Sequence, residues 1–227
     1  MKYQITQDLQ NNYKTRRTRD EKDEKIVGDF LDKYFYPTFS NTITRNTDRD
    51  TQINGLDVTV DGFNDVKYTI DEKAATRWIG RNLQTFAHEI SGVNVNGDTY
   101  NGWLLDFNSA SDYLVEVWID NVNSTDGYLH DYTNITDTTI AMIKKSDLYQ
   151  WLKSKNIKST ELLAIGETLR ENGEKSQMYK GYKVICQQPP IQERAANILI
   201  PRSTLINTIA SYAVQVKNNK VITLRKK

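Results

Sequence analysis

The chain contains one cysteine, Cys186, and only two histidines. A lone cysteine excludes an intrachain disulfide and any zinc site built on paired thiolates. Cys186 reads instead as a small buried hydrophobe. His88 has no second His or Cys at ligand spacing, which sets it aside as a metal ligand. Long apolar runs are also missing, since nothing approaches the ~20 residues that span a bilayer. The opening stretch MKYQITQDLQNNYKTRRTRDEKDEK has no apolar segment of the secretory kind, so a cytoplasmic location away from membranes is the expectation. No phosphate-cradling loop is present: GVNVNG has the wrong spacing and no lysine after it. Gly-x-Ser-x-Gly is absent as well. These absences argue against ATP-driven and serine-hydrolase chemistry.

An excess of one charge is lacking too. Lys and Arg number 30 against 29 Asp and Glu, for a net charge of +1, so composition alone does not call for nucleic acid. Two local basic clusters remain. Lys14, Arg16, Arg17 and Arg19 precede the first amphipathic segment, and KNNKVITLRKK closes the sequence. Each could touch phosphate, or be a solvated, frayed end.

A chain of 227 residues can bury a sizeable core as one domain, or as one domain with an extension. Neither repeats nor low-complexity segments interrupt it. Over 21–36, Ile26, Val27, Phe30, Leu31 and Tyr34 fall within an arc of about 140°, which predicts a helix with one apolar face ended by Pro37. The runs LDVTV and VKYTIDEK alternate in the strand manner, and the Asp61-Gly62 between them favours a turn. A hairpin is therefore expected. A helix is predicted over 74–90, followed by strand-like YNGWLLDF and DYLVEVWID and a polar loop over 123–137. Later, DLYQWLKSK and ELLAIGETLREN read as helices, the second stopped by Gly173. YKVICQQ and NILI read as strands, and RSTLINTIASYAV as a helix after Pro201. The fold class expected is α/β or α+β.

The tripeptide DEK occurs three times, at 20–22, 23–25 and 71–73. The first two copies lie at a helix start, where alternating acids and lysines are commonly solvated. The third has a partner. Setting Val58 opposite Ile70 and Val60 opposite Tyr68 keeps the apolar faces together. That register places Asp57 opposite Asp71 and Gly55 opposite Lys73, with facing Cβ atoms about 5 Å apart. Two carboxylates then share a small space beside an ammonium. A hard divalent cation relieves this arrangement, because Mg²⁺ accepts one or two carboxylates and keeps positions for water and phosphate oxygens. Lys73 could orient an attacking water or stabilise developing charge. The competing reading is a hairpin face with scattered charges.

Taken together, Gln52-x-x-Gly55-Leu56-Asp57-Val58, the hairpin and Ile70-Asp71-Glu72-Lys73 resemble the PD-(D/E)XK nuclease superfamily. The resemblance covers about residues 20–120, departs from the name pattern in having Leu56 where a proline stands, and leaves 121–227 undescribed. It implies a restriction-endonuclease-like mixed sheet flanked by helices over 20–120, with 121–227 as an α+β extension, or else one domain over 1–227. It also implies Asp57 and Asp71 as metal ligands, the Glu72 carbonyl as a further ligand, Lys73 as the catalytic lysine and Gln52 near the site. Many members carry an acid on the first helix. Here Asp23 lies at the centre of the apolar arc and Glu24 at its edge; Asp23 is slightly favoured, and that neither completes the site is the third alternative. On the predicted helix after the hairpin, Arg77, Arg81, Gln84, His88 and Glu89 would add polar groups, though each alone reads more readily as solvated. Trp78, Phe86 and Trp103 read as core. The implied activity is Mg²⁺- or Mn²⁺-dependent hydrolysis of nucleic acid, as a DNA endonuclease. A homodimer is one way for one site per chain to cut both strands. The alternative is an inactive, DNA-binding or interaction protein of the same fold.

Overall fold

A computed structural model describes residues 7–48, 51, 55–61, 66–94, 96–189 and 193–227. The protein is mixed α/β, with two sheets. Two compact units alternate along the chain. One comprises Asp20–Gln84, Asn108–Tyr149 and Pro201–Lys227; the other comprises Met1–Arg19, Thr85–Phe107 and Gln150–Ile200. Among the described residues, no helix is long and apolar enough to cross a membrane.

The first unit is built on a seven-stranded sheet. Its strands are β1 (Ile43–Arg45), β2 (Val58–Asp61), β3 (Lys67–Ala74), β6 (Tyr113–Val122), β7 (Ile135–Lys144), β11 (Tyr212–Lys217) and β12 (Lys220–Lys226), in that spatial order. Only β3 and β6 run parallel; the other pairs are antiparallel. The β2–β3 register is Val58↔Ile70 and Val60↔Tyr68, the pairing that apolar alternation predicts. Both faces of β6 are covered through most of its length, so it reads as a near-continuous apolar run rather than an alternating one.

Helix α1 (Gln7–Tyr34) carries the predicted stripe. Ile26, Val27, Phe30 and Leu31 are buried in one cluster with Val58, Val60, Ile70, Val115, Val117 and Ile140. A 3-10 turn, Tyr36–Thr38, takes Pro37 at its start and turns the chain toward β1. A polar network fastens the helix beneath the sheet. Arg45 donates to both carboxylate oxygens of Asp32 (2.7 and 2.9 Å), to the Gly28 carbonyl (2.7 Å) and to Glu72 (3.0 and 3.1 Å). Tyr36 donates its hydroxyl to Glu72 at 2.6 Å. A Cβ at position 28 would lie 2.9 Å from the Arg45 guanidinium carbon, so glycine is what lets that group rest on the helix backbone.

The second unit holds a five-stranded sheet in the order β5 (Thr99–Asn101), β4 (Thr85–Val93), β10 (Ala196–Pro201), β9 (Tyr182–Cys186), β8 (Ser176–Tyr179). Helix α3 (Ser159–Asn172) packs on it through Gly166, beside Ala196 and Ser91. It ends at Gly173, which adopts the left-handed conformation expected of a terminating glycine. Cys186 is buried, and burial raises its thiol pKa.

Three expectations are corrected. Residues 74–90 are not one helix. β3 continues to Ala74, a 3-10 turn covers Thr76–Trp78, and strand β4 starts at Thr85. Gly80 and Asn82 take positive φ and break the helix, and Phe86, His88 and Ile90 are buried at a spacing of two. Helix α4 after Pro201 is only Arg202–Thr204, extended by a π turn over Leu205–Ile209. Tyr212 then enters β11, which is paired between β7 and β12. The closing basic segment is not a frayed tail: Asn218 and Asn219 both take positive φ, forming a tight hairpin into β12. The predicted helix at DLYQWLKSK is α2 (Lys145–Ser154).

Candidate active site

Alternation along β3 sends Ile70 and Glu72 toward α1, and Asp71 and Lys73 to the opposite face. Ile70 accordingly lies in the core cluster and Glu72 is held by Tyr36 and Arg45. Burial, followed by the Glu72 charge, raises the Tyr36 hydroxyl pKa well above its ordinary range, so Tyr36 remains a donor. Burial works against the charge of Arg45, but Asp32 and Glu72 outweigh it and hold the guanidinium firmly protonated. The Glu72 side chain is therefore a fastener on the helix side. Only its main chain adjoins the other face.

On that other face, Asp71 is 2% exposed and its Oδ1 lies 2.6 Å from Lys73 Nζ. Asp57 stands one residue before β2, opposite Asp71 by continuation of the ladder. Its N–H donates to the Ile70 carbonyl at 2.9 Å, and its Oδ2 accepts the Glu72 N–H at 2.8 Å. The carboxyl of Asp57 is pushed up to about 7. Loss of hydration contributes most and the Asp71 charge next, with Lys73 and the Glu72 N–H opposing them. For Lys73, burial alone would lower the pKa, but Asp71, Asp57 and Glu24 overrule it and raise it. Lys73 is thus a fixed cation.

Of the two helix acids, Asp23 is 4% exposed on the inward stripe of α1. Glu24 lies in the field of the site. Dehydration raises its carboxyl pKa, Lys73 lowers it, and Asp20, Glu21 and Asp71 raise it further. Gln52 lies outside the described residues. The structure therefore brings Asp57, Asp71 and Lys73 together, places Glu24 within their electrostatic reach and puts Asp23 on the same helix stripe as the core residues.

Glu116, Ser109, Ser111 and Lys145 escaped the sequence reading. Glu116 is in register with Lys73 across the parallel β3–β6 pair and is 0% exposed. Its signal was a carboxylate inside the apolar run LVEVWI. Gly55 has φ +71°, and a Cβ there would meet Ser109 Oγ at 2.7 Å and Asp71 Oδ2 at 3.3 Å. Ser109 in turn accepts from buried Lys145 at 2.6 Å, as Ser111 does at 2.7 Å. No local pattern joins position 145 to position 55. Trp78, expected in the core, is half exposed, whereas Phe86 is buried as expected. His88, Gln84 and Glu89 are not on a helix, and His88 is buried in β4.

Among the described residues, no group of three or more His, Cys, Asp or Glu side chains is gathered that would enclose an ion. The set that fits a hard divalent cation is the Asp57–Asp71 pair. Burial first and the Asp71 charge second raise the Asp57 carboxyl to about 7, and a cation would relieve both. No family model matches the chain, and no curated protein or solved structure matches it.

Proposed function

We propose that the chain is a metal-dependent phosphodiesterase acting on nucleic acid, a DNA endonuclease, with a restriction-endonuclease-like hairpin as its active centre. One observation carries the reading: Asp57, Asp71 and Lys73 share one hairpin face, with Asp71 ion-paired to Lys73 and the Asp57 carboxyl raised by burial and by Asp71. A solvated charge pattern would not hold an almost fully buried Asp71 in this way.

When bound, Mg²⁺ or Mn²⁺ supplies Lewis-acid polarisation of the phosphate and a more acidic water. Asp57 and Asp71 would hold it, with the Glu72 carbonyl as the further candidate. Lys73 stays protonated, so it cannot serve as a base; it donates hydrogen bonds to a phosphate oxygen or orients the attacking water. Asp71 fixes the position of that ammonium, and the Glu72 N–H fixes the Asp57 carboxylate. Glu72 and Arg45 hold the hairpin rigid from below, which keeps these groups in register.

The test is plasmid cleavage by purified protein in Mg²⁺, in Mn²⁺ and in EDTA, with Lys73→Ala and Asp71→Asn alongside. Metal-dependent cutting that falls by at least ~100-fold in both variants supports the reading. Wild type as inert as the variants on duplex, single-stranded and branched DNA and on RNA would refute it and leave the inactive binding protein.

A further inference from the structure

Of the four tryptophans, Trp118 and Trp151 are buried, Trp103 is partly covered and Trp78 is 51% exposed. Single exposed apolar residues are ordinary. Trp78 is set apart by what holds it and by where it stands. It ends the 3-10 turn that follows directly on β3. That segment is tied to β6 at both ends: Ala75 N–H donates to the Val117 carbonyl at 3.0 Å and Gly80 N–H to the Ile119 carbonyl at 3.1 Å. Trp78 N–H closes on Ala75 at 3.0 Å, and Arg81 N–H closes on Trp78 at 3.2 Å. The indole is therefore carried by a pinned turn rather than a loose loop.

The same strand measures how far from the site the turn is pinned. Lys73 is in register with Glu116, and Gly80 is bonded to Ile119, three residues further along β6. At ~3.3 Å per residue that pins the far end of the turn about 10 Å from Lys73 along the sheet. The Arg81 guanidinium lies over the indole, 5.5 Å from the ring centroid. Arg77 beside it is matched by Asp20, so Arg81 is the cation that marks this patch. An exposed indole backed by guanidinium suits a flat, electron-rich ring with a phosphate attached. A base inside a duplex has both faces covered by its neighbours; only an unpaired base can offer one.

We propose that Trp78, with Arg81 against its ring, is a stacking platform for an unpaired nucleobase, so that the substrate is single-stranded nucleic acid or a duplex end with unpaired bases. This rests on the phosphodiesterase reading for the strand's path past Lys73, whereas the stacking itself needs no cleavage.

The experiment is fluorescence anisotropy of labelled oligothymidylate, oligouridylate and a blunt-ended duplex of two complementary strands, each of about 12 nucleotides per strand, in EDTA so that nothing is cut. Wild type binds the single strands more tightly than the duplex. Trp78→Ala weakens single-strand binding by about tenfold to a hundredfold, leaves duplex binding alone and leaves the slope of log K on log salt unchanged, because stacking releases no counterions. Trp78→Phe keeps most of the affinity. The DNA and RNA arms identify the sugar. The proposal is overturned if wild type ignores single strands, if Trp78→Ala binds them as wild type does, or if duplex binding falls equally. Trp78-dependent binding without cleavage would leave the platform standing and sink the nuclease. Duplex cutting indifferent to Trp78 would do the reverse.

Discussion

Asp57→Asn should abolish the proposed activity and yet stabilise the metal-free protein. Asn keeps an oxygen that can accept the Glu72 N–H, which Asp57 now accepts at 2.8 Å, so the substitution removes charge more than geometry. The ordinary aspartate value is 3.8, and the folded protein holds Asp57 at about 7, through burial first and the Asp71 charge second. Between those values the unfolded chain is ionised while the folded chain keeps the proton. Folding stability therefore falls as pH rises across this window and levels off above about 7. At ~1.4 kcal/mol per pH unit the full gap corresponds to about 4 kcal/mol, which partial exposure and coupling to Asp71 reduce to about 2–3 kcal/mol. Urea unfolding in EDTA is the assay. The advantage of Asp57→Asn over wild type should widen by about 2 kcal/mol between pH 5 and pH 8. Comparing the two proteins cancels the other titrating groups. At pH 8 the melting temperature should rise by roughly 4–12 °C. A variant less stable than wild type at pH 8, or an advantage that does not change with pH, would refute the reasoning that Asp57 is a crowded, destabilising charge.

Three further outcomes follow from the same geometry. Mg²⁺ at about 100 times its dissociation constant should stabilise wild type by about 2.7 kcal/mol in a thermal-shift measurement, and Asp71→Asn should lose most of that gain. Gly55→Ala should cost about 1–2 kcal/mol through its left-handed φ of +71° alone. It should also depress cleavage, since its Cβ would push on Ser109 and Asp71; wild-type activity in a folded Gly55→Ala protein would deny that contact a role. Glu72→Ala should lower stability by about 2–3 kcal/mol in urea, allowing for the partial exposure of Arg45. Glu72→Gln, which still accepts from Tyr36, should lose less, and equal losses would show that the network is not what fastens the hairpin.

The legible parts of this protein were those whose pattern is local. The α1 stripe follows from a period of 3.6, because Ile26, Val27, Phe30 and Leu31 must share one side of any helix through them. The hairpin register follows from a period of two, because a slip of one residue would turn Val58, Val60 and Ile70 out of the core. That register alone brings Asp57 to Asp71 and puts Lys73 on the same face, so the candidate site was readable before any tertiary contact. The helix mistakenly expected over 74–90 marks the limit. Its apolar spacing suited either structure, and the choice fell to the strands beside β4, β5 just after it and β10 far along the chain. The same is true of what surrounds the site. Glu116 faces Lys73 because β6 runs parallel to β3, and Lys145 reaches Ser109 because β6 and β7 return the chain there. Trp78 is left in water because the turn after β3 is tied to β6. Side-chain period is a property of a short segment, and the sequence by itself determined what depends on it. Which segments become neighbours depends on how the whole chain pairs its backbone hydrogen bonds and buries its apolar faces at once, and only the tertiary structure decided that.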